Sequence, residues 1–372
     1  MNPAVIAIVK YLLPPLAWLI SLFIPGRNSR VTLREAKNKA EIMSMVSETE
    51  AKFPSWAALP LSEQVEKCYQ LGSFPALWAV EGLGNYYAET VRNKGEAWHQ
   101  LLTGPQSRNL PSKSLTMLHA GIGLSFAKRT FEGLSAKTPG PELRKALEKF
   151  IELARNSGRT GYVGATLESL GLVSIILHDV EMAKALDRLL AEIDPNVASF
   201  MWRGAGRALY FHPKNFIPGG KCPWRGIEMC SQIAPHEMAR RNLRAGISWA
   251  ITLVNMRHPE VMEEVLSYQG EDSPDRDFFV NGVTSSMIMR YDISPDDVYI
   301  ERFINHEPDA SRPVLARLWK RDIKQPCEEA LRDIYPVLKQ SNALEEVFHY
   351  QSLPQLAQRL RSSALPGRGA AS

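Results

Sequence analysis

VEGLGNYYAETV, Val80 to Val91, is the first of several short runs whose recurrence decides how this chain folds. HAGIGLSFAKRT follows at His119 to Thr130, YVGATLESLGLV at Tyr162 to Val173, and WRGAGRALYFHP at Trp202 to Pro213. RAGISWAITLVN at Arg244 to Asn255 and VNGVTSSMIMRY at Val280 to Tyr291 complete the set. Aligned on Gly82, Gly121, Gly164, Gly204, Gly246 and Gly282, the steps fall near the roughly 40-residue length of helix-pair repeats. A glycine inside a helix costs ~1 kcal/mol relative to alanine, so its return in each copy needs a cause. Close approach of neighbouring backbones is one, and room for a ligand along one face is the other.

Working outward, the stretches between the copies read as ordinary amphipathic helices. In PELRKALEKFIELARNSG, Leu143, Leu147, Phe150, Ile151 and Ala154 keep helical spacing, Pro141 opens the helix and Gly158 can close it. Asp194-Pro195 and Ser294-Pro295-Asp296-Asp297 place a capping residue before a first-turn proline. Sustained apolar/polar alternation is almost absent, so strands are minor. The expected fold is all-α: a helical-repeat superhelix or α/α toroid of about six helix pairs. The expected domains are a membrane anchor at 1–26, a helical connector at 27–60, the glycine-helix repeat at 61–292, a helical cap at 293–364 and a disordered tail at 365–372.

The amino-terminal run AVIAIVKYLLPPLAWLISLFIP, Ala4 to Pro25, carries Lys10 and the Pro14-Pro15 pair inside an otherwise apolar stretch. Its length is close to the ~20 residues that cross a bilayer. The proline pair also allows a segment that dips into one leaflet. Arg27, Arg30, Arg34, Lys37 and Lys39 follow directly, and by the positive-inside rule they put the body on the cytoplasmic side. The remaining charge is scattered: 44 Lys and Arg oppose 40 Asp and Glu, for a net +4. No basic stripe suited to nucleic acid results. Cys68, Cys222, Cys230 and Cys327 form no CxxC pair, so reduced thiols are expected.

Motifs of the common enzyme classes are missing. The sequence holds no phosphate loop, G-x-S-x-G elbow, HExxH or dinucleotide fingerprint. Two ExxH segments, Glu96 to His99 and Glu346 to His349, have the i, i+3 spacing of di-iron bundles but lack evident partner carboxylates. Cys222, Cys230 and His236 fit no zinc spacing and read as buried thiols and a helix cap. No cofactor or metal is therefore predicted. The candidate working groups are the polar residues beside the aligned glycines: Glu81, His119, Arg203, Arg244 and Asn281. A polar group on a buried face must be paired or meet a ligand. Glu81 with Arg203 can be an internal ion pair. Alternatively these groups anchor a ligand in a pocket walled by Trp78, Tyr86, Phe126, Trp202, Tyr210, Phe211 and Trp249.

ASFMWRGAGRALYF, Ala198 to Phe211, followed by LRAGISWAITLV, Leu243 to Val254, resembles a bacterial family of unknown function whose members are often labelled enediyne-biosynthesis proteins. LWAVEGLGNYYAE, Leu77 to Glu89, and LHAGIGLSFAK, Leu118 to Lys128, are similar to earlier helices of that family. The matching positions are Glu81, Gly82, His119, Gly121, Gly123, Gly204, Gly206, Arg207 and Phe211, with Gly246 a weaker match. Tyr210 stands where the family tends to have tryptophan, and Ser248 where a second glycine is usual. The likeness covers roughly Phe74 to Val254. It implies association with long polyene or polyketide-derived products. The expected function is that of a membrane-associated accessory protein binding or shielding a long apolar molecule, with membrane lipid and another membrane protein as further partners. An enzyme using Glu81 and His119 as acid and base, with Arg203 or Arg207 holding a carboxylate or phosphate, is the alternative from another class. A helical scaffold for a protein partner is the third.

Overall fold

A computed structural model describes residues 27–95, 98–212, 215 and 224–364. The apolar run at 4–25, Glu96, Cys222 and the tail at 365–372 lie outside the described residues. Among the described residues every regular element is a helix, as the absence of alternating patterns predicts. None of these helices is long and apolar enough to cross a membrane.

Six helices carry the glycine runs: α3 (Ser73–Asn93), α4 (Leu115–Thr130), α6 (Val163–Val173), α8 (Pro195–Tyr210), α10 (Glu237–Asn255) and α12 (Arg276–Ile293). Their most extensive packing is with one another in chain order: α3 on α4, α4 on α6, α6 on α8, α8 on α10 and α10 on α12. Outside them lie α5 (Gly140–Ser157), α7 (Val180–Ile193), α9 (Arg225–Ile233), α11 (Glu260–Gln269) and α13 (Val298–Ile304). The predicted apolar stripe of α5 is buried as read, through Leu143, Leu147, Phe150, Ile151 and Ala154. Between α3 and α4 the alternation lapses: the described linker holds only the 3₁₀ turns Pro105–Ser107 and Ser112–Ser114.

The end of the series meets its beginning. On α12, Arg290 donates to the carbonyl oxygens of Ser73 (2.9 Å) and Phe74 (3.3 Å) at the start of α3, while Asp297 accepts from its Nε at 2.7 Å. The Thr116 hydroxyl of α4 donates to Asp292 at 3.4 Å.

Helix caps follow the sequence in part. Asp194 accepts from Asn196 N ahead of Pro195, and His236 accepts from Ala239 N, the capping role expected of it. The predicted start at Ser294-Pro295 is displaced: α13 begins at Val298, and its cap is Asp297, which accepts from Tyr299 N. Ser294 instead donates its hydroxyl to Ser73 O, so a tertiary bond outcompetes the local cap.

Residues 313–340 form α14, continuous through Pro326 and Pro336 because π turns at Lys320–Lys324 and Ala330–Ile334 precede the two prolines. A wider turn frees the carbonyl that a proline ring would strike. A 3₁₀ turn (Leu344–Phe348) and α15 (Leu353–Ala364) complete the described chain.

The stretch expected to serve as a connector is part of the body. Helix α1 (Arg27–Glu50) buries Val31, Glu35, Asn38, Lys39 and Ile42. It lies against α3, α10 and α11. Asn38 donates to Asn255 Oδ1 (2.8 Å), and Lys39 pairs with Glu35 (3.1 Å) and donates to Asn215 O (2.8 Å). A turn at Phe53–Trp56 and α2 (Leu61–Tyr69) lead into α3. One apolar core runs from Val31 to Ala357. Cys68, Cys230 and Cys327 are buried free thiols within it. Burial pushes Cys68 and Cys230 up to about 12 and raises Cys327 as well, so these thiols stay protonated.

Candidate functional site

The glycine contacts recur in one register. A Cβ on Gly121 would run into Glu81 O and come within 2.8 Å of Asn85 N. A Cβ on Gly246 would meet Arg203 O and Arg207 N (3.1 Å), and one on Gly282 would meet Ala245 O and Trp249 N (2.9 Å). In each case the glycine sits against the preceding copy, between the residue just before its own glycine and the residue three after it. These glycines are therefore used for backbone contact, and the contact leaves no room for even a methyl group.

The third copy obeys this register only when aligned on Ser169, which corrects the alignment on Gly164. Ser169 Oγ donates to Ala120 O at 3.0 Å, as a residue facing the one before Gly121 should. Gly204 then faces Glu168 O, while Gly164 meets Phe200 and Glu345 instead. Glu168-Ser169-Leu170-Gly171 thus repeats Glu81-Gly82-Leu83-Gly84.

Residues one before and three after the aligned position are four apart and share a helix face. Glu81, Glu168 and Arg203 occupy the first row, Arg207, Trp249 and Ser285 the second. All six converge. Arg207 bonds both oxygens of Glu81 (2.5 and 2.8 Å) and stands 3.5 Å from Glu168 Oε2. Arg203 bonds Glu168 Oε1 (2.8 Å) and Ser285 Oγ (2.8 Å). Trp249 lies against both guanidinium groups, its ring centre 4.9 Å from Arg207 and 5.5 Å from Arg203. Five helices, α3, α6, α8, α10 and α12, meet in this cluster.

The expected Glu81–Arg203 pair is therefore replaced by Glu81–Arg207 and Glu168–Arg203. Two carboxylates balance two guanidiniums in a site where all four side chains are nearly inaccessible. Burial lowers Arg203 to about 10, so it stays charged at neutral pH. Burial also acts to lower Arg207, but Glu81 and Glu168 outweigh it and the group is raised.

His119 and Arg244 stand two residues before their glycines, a rotation of about 100° from the shared row, and they go elsewhere. His119 is fully buried: Nδ1 donates to Leu115 O (2.7 Å), Nε2 accepts from Arg159 N (2.8 Å), and Tyr162 stacks on the ring. Desolvation lowers it to about 4, so the ring is neutral with both nitrogens committed to backbone. Arg244 pairs with Asp275 at 2.7 Å. Asn281 keeps the row but donates to Gln351 O at 2.7 Å.

Trp249 apart, the aromatic residues do not wall a common space with these groups. Trp202 donates to Asp187 of α7 (2.6 Å), Tyr210 accepts from Asn255 (2.7 Å) with Phe211 edge-on, and Tyr86 packs on Phe53. Trp78 is buried on α3. Phe126 packs on Trp98 with ring centres 5.0 Å apart. Trp98 in turn walls an outer recess of about 650 Å³ formed by the ends of α3 and α4 against α5. Leu134, Ala146 and Leu153 add apolar surface there, with Arg92 and Lys145 among its cations. The sequence reading passed over this recess, which no single motif encodes.

Glu346 and His349, one of the ExxH pairs, bond each other at 2.9 Å, and the imidazole packs on Phe200. Among the described residues no group of three or more His, Cys, Asp or Glu side chains is placed to hold a metal ion. No family model, curated protein or solved structure matches the chain.

Proposed function

We propose that this chain is a membrane-associated accessory protein that holds a long apolar molecule, and that its six glycine helices form one closed, repeat-built ring. In this reading the middle of the ring is a structural hub and the ligand lies outside it. The observation that carries the reading is the outer recess. Its volume of about 650 Å³ falls in the range of small-molecule sites, Trp98, Leu134, Ala146 and Leu153 give it apolar lining, and Arg92 and Lys145, beside the carboxylates of Glu132 and Glu142, supply cations for an acidic end group. The sealed glycine contacts and the mutually paired Glu81, Glu168, Arg203 and Arg207 support the hub. The apolar run at 4–25 supports the membrane association.

Solvent extraction of the purified full chain followed by mass spectrometry tests this. A co-purifying polyene or lipid is expected, and Trp98→Ala should lose it while the fold stays intact. Protein that carries no apolar molecule, before or after incubation with membrane extract, defeats the reading.

A protein-scaffold reading has one observation in its favour. Ile176 and Leu177 in the π turn Ser174–His178 are 48% and 54% exposed, an adjacent apolar pair suited to a partner's surface. The enzyme reading has less, since His119 offers no open nitrogen for proton transfer.

A further inference from the structure

Gly164, the glycine that leaves the repeat register, serves another contact. A Cβ there would come within 2.6 Å of the Phe200 ring and 2.8 Å of Glu345 O, so the bare backbone lets the 3₁₀ turn Leu344–Phe348 settle against the start of α6 and beside α8. Glu345 N donates to Gly161 O at 2.8 Å in the same seat. The turn has two sides. Phe348 is buried, its ring centre 5.6 Å from the Arg203 guanidinium, while Glu345, Glu346 and the following His349 line an outer recess of about 630 Å³. Leu167, Val197 and Phe200 give it apolar lining, and its Arg155 and Asp194 pair with each other.

The ExxH segment forms a dyad in this recess. His349 Nε2 lies 2.9 Å from Glu346 Oε2, and the Gln351 amide donates to that oxygen and to Glu346 O (3.1 Å). Gln351 Nε2 also stands 2.9 Å from His349 Nε2, but both of its hydrogens go to Glu346, so the ring nitrogen is the donor toward the carboxylate. The neutral imidazole then keeps a lone pair on Nδ1, which no described residue engages. His119, with both nitrogens committed to backbone, is the opposite case. Glu345 completes the set. Its Oε2 accepts from Gly164 N at 3.2 Å, and burial, reinforced by the neighbouring Glu346, pushes its carboxyl above the ordinary value, which favours the protonated form. The Ser199 hydroxyl is donated to Asn196 O at 2.7 Å, and no cysteine lines the recess. The equipment is a base and an acid without an activated nucleophile.

We propose that this recess is a proton-transfer site for a small ketone with an acidic α-hydrogen, with His349 as base, Glu345 as acid and Glu346 positioning the imidazole. The step balances on these side chains alone. Nδ1 takes the α-proton, the electron pair of the broken C–H bond forms the C=C bond of an enol, and the Glu345 carboxyl gives its proton to the carbonyl oxygen. In a β,γ-unsaturated ketone, His349 then returns its proton to the γ-carbon and the enol O–H returns its proton to Glu345. The conjugated isomer results, and both residues are restored. This activity goes beyond the accessory role proposed above, and the recess shares no residue with the one beside Trp98.

The test uses the purified full chain and the β,γ-unsaturated isomer of cyclohexenone, whose conversion to the conjugated enone is followed by ultraviolet absorbance. A rate above that of buffer is expected. His349→Gln and Glu345→Gln should each lower kcat about 100-fold with the melting temperature unchanged. Glu346→Gln should lower kcat by a smaller factor with KM unchanged, and should move the acid limb of the pH profile to lower pH, because the imidazole loses a neighbouring carboxylate. A merely structural Glu346 would leave that limb in place. No rate above buffer overturns the proposal, and so does a rate that survives both His349→Gln and Glu345→Gln; neither result bears on the ligand held beside Trp98.

Discussion

Arg207 and Glu81 illustrate what a buried charge costs when its partner goes. Removing one member of a buried pair leaves the other without compensation, which typically destabilises by about 3–5 kcal/mol, whereas replacing both with apolar groups is often close to neutral. Glu81→Gln and Arg207→Met should each lower the denaturant midpoint strongly, and the double variant should recover part of the loss. Additive losses in that cycle would show that the two side chains do not act as a pair. His119 supplies a second prediction at this scale. Its folded-state value of about 4 lies below the ordinary ~6.5 of an unfolded histidine. The unfolded chain therefore binds the proton first as pH falls, and stability drops between about pH 6.5 and pH 4, by an order of 3 kcal/mol. Denaturation across that interval should show a slope that His119→Gln flattens; an unchanged slope would assign the acid sensitivity to other groups.

At the scale of the element, the glycines divide by what lies opposite them. Gly246 faces Arg203 O and Arg207 N, so a methyl group there must push two helices apart, a kind of overpacking that costs about 1–3 kcal/mol or more. Gly140, at the first turn of α5, has nothing within 4 Å of an added Cβ. Gly246→Ala should lower the melting temperature by several degrees, and Gly140→Ala should leave it level or raise it slightly. Equal effects would mean that the inter-helix contact is looser than the geometry implies. The same contrast shows what a sequence can convey. The existence of the helices, the stripe of α5 and the cap at Asp194 follow from local periodicity and hydrogen bonding. The register of the third copy does not: Gly164 is the more conspicuous glycine, but contact selects Ser169, and only the recurrence of Glu-x-Leu-Gly at Glu81 and Glu168 marks it. Likewise the displaced cap at Asp297 depends on Ser73, which is remote in sequence.

For the whole molecule, the site is legible by row rather than by residue. Glu81, Arg203, Arg207 and Trp249 were visible as polar and aromatic groups near glycines, but their convergence needs the −1 and +3 face, while His119 and Arg244 are turned away by one position. The outer recess was invisible because its walls come from three helices and a loop. If the apolar ligand sits there, Trp98→Ala and Lys145→Glu should each weaken its retention, with the lysine change acting only on molecules that carry an acidic end. Retention unaffected by either change would move the ligand off this surface.

The bonds from Arg290 to Ser73 and Phe74 join residues 217 and 216 positions apart, which has a consequence for synthesis. A ribosome must emit nearly the whole chain before this latch can form, so α3 to α10 wait with one flank of the series uncovered. Arg203 waits too, because its partner Ser285 arrives on the same late helix. Contacts of such long sequence separation slow folding, and an uncovered apolar flank invites association with other chains. Covering that flank falls to α12, so refolding should slow and aggregation should rise when Arg290 is replaced by Met.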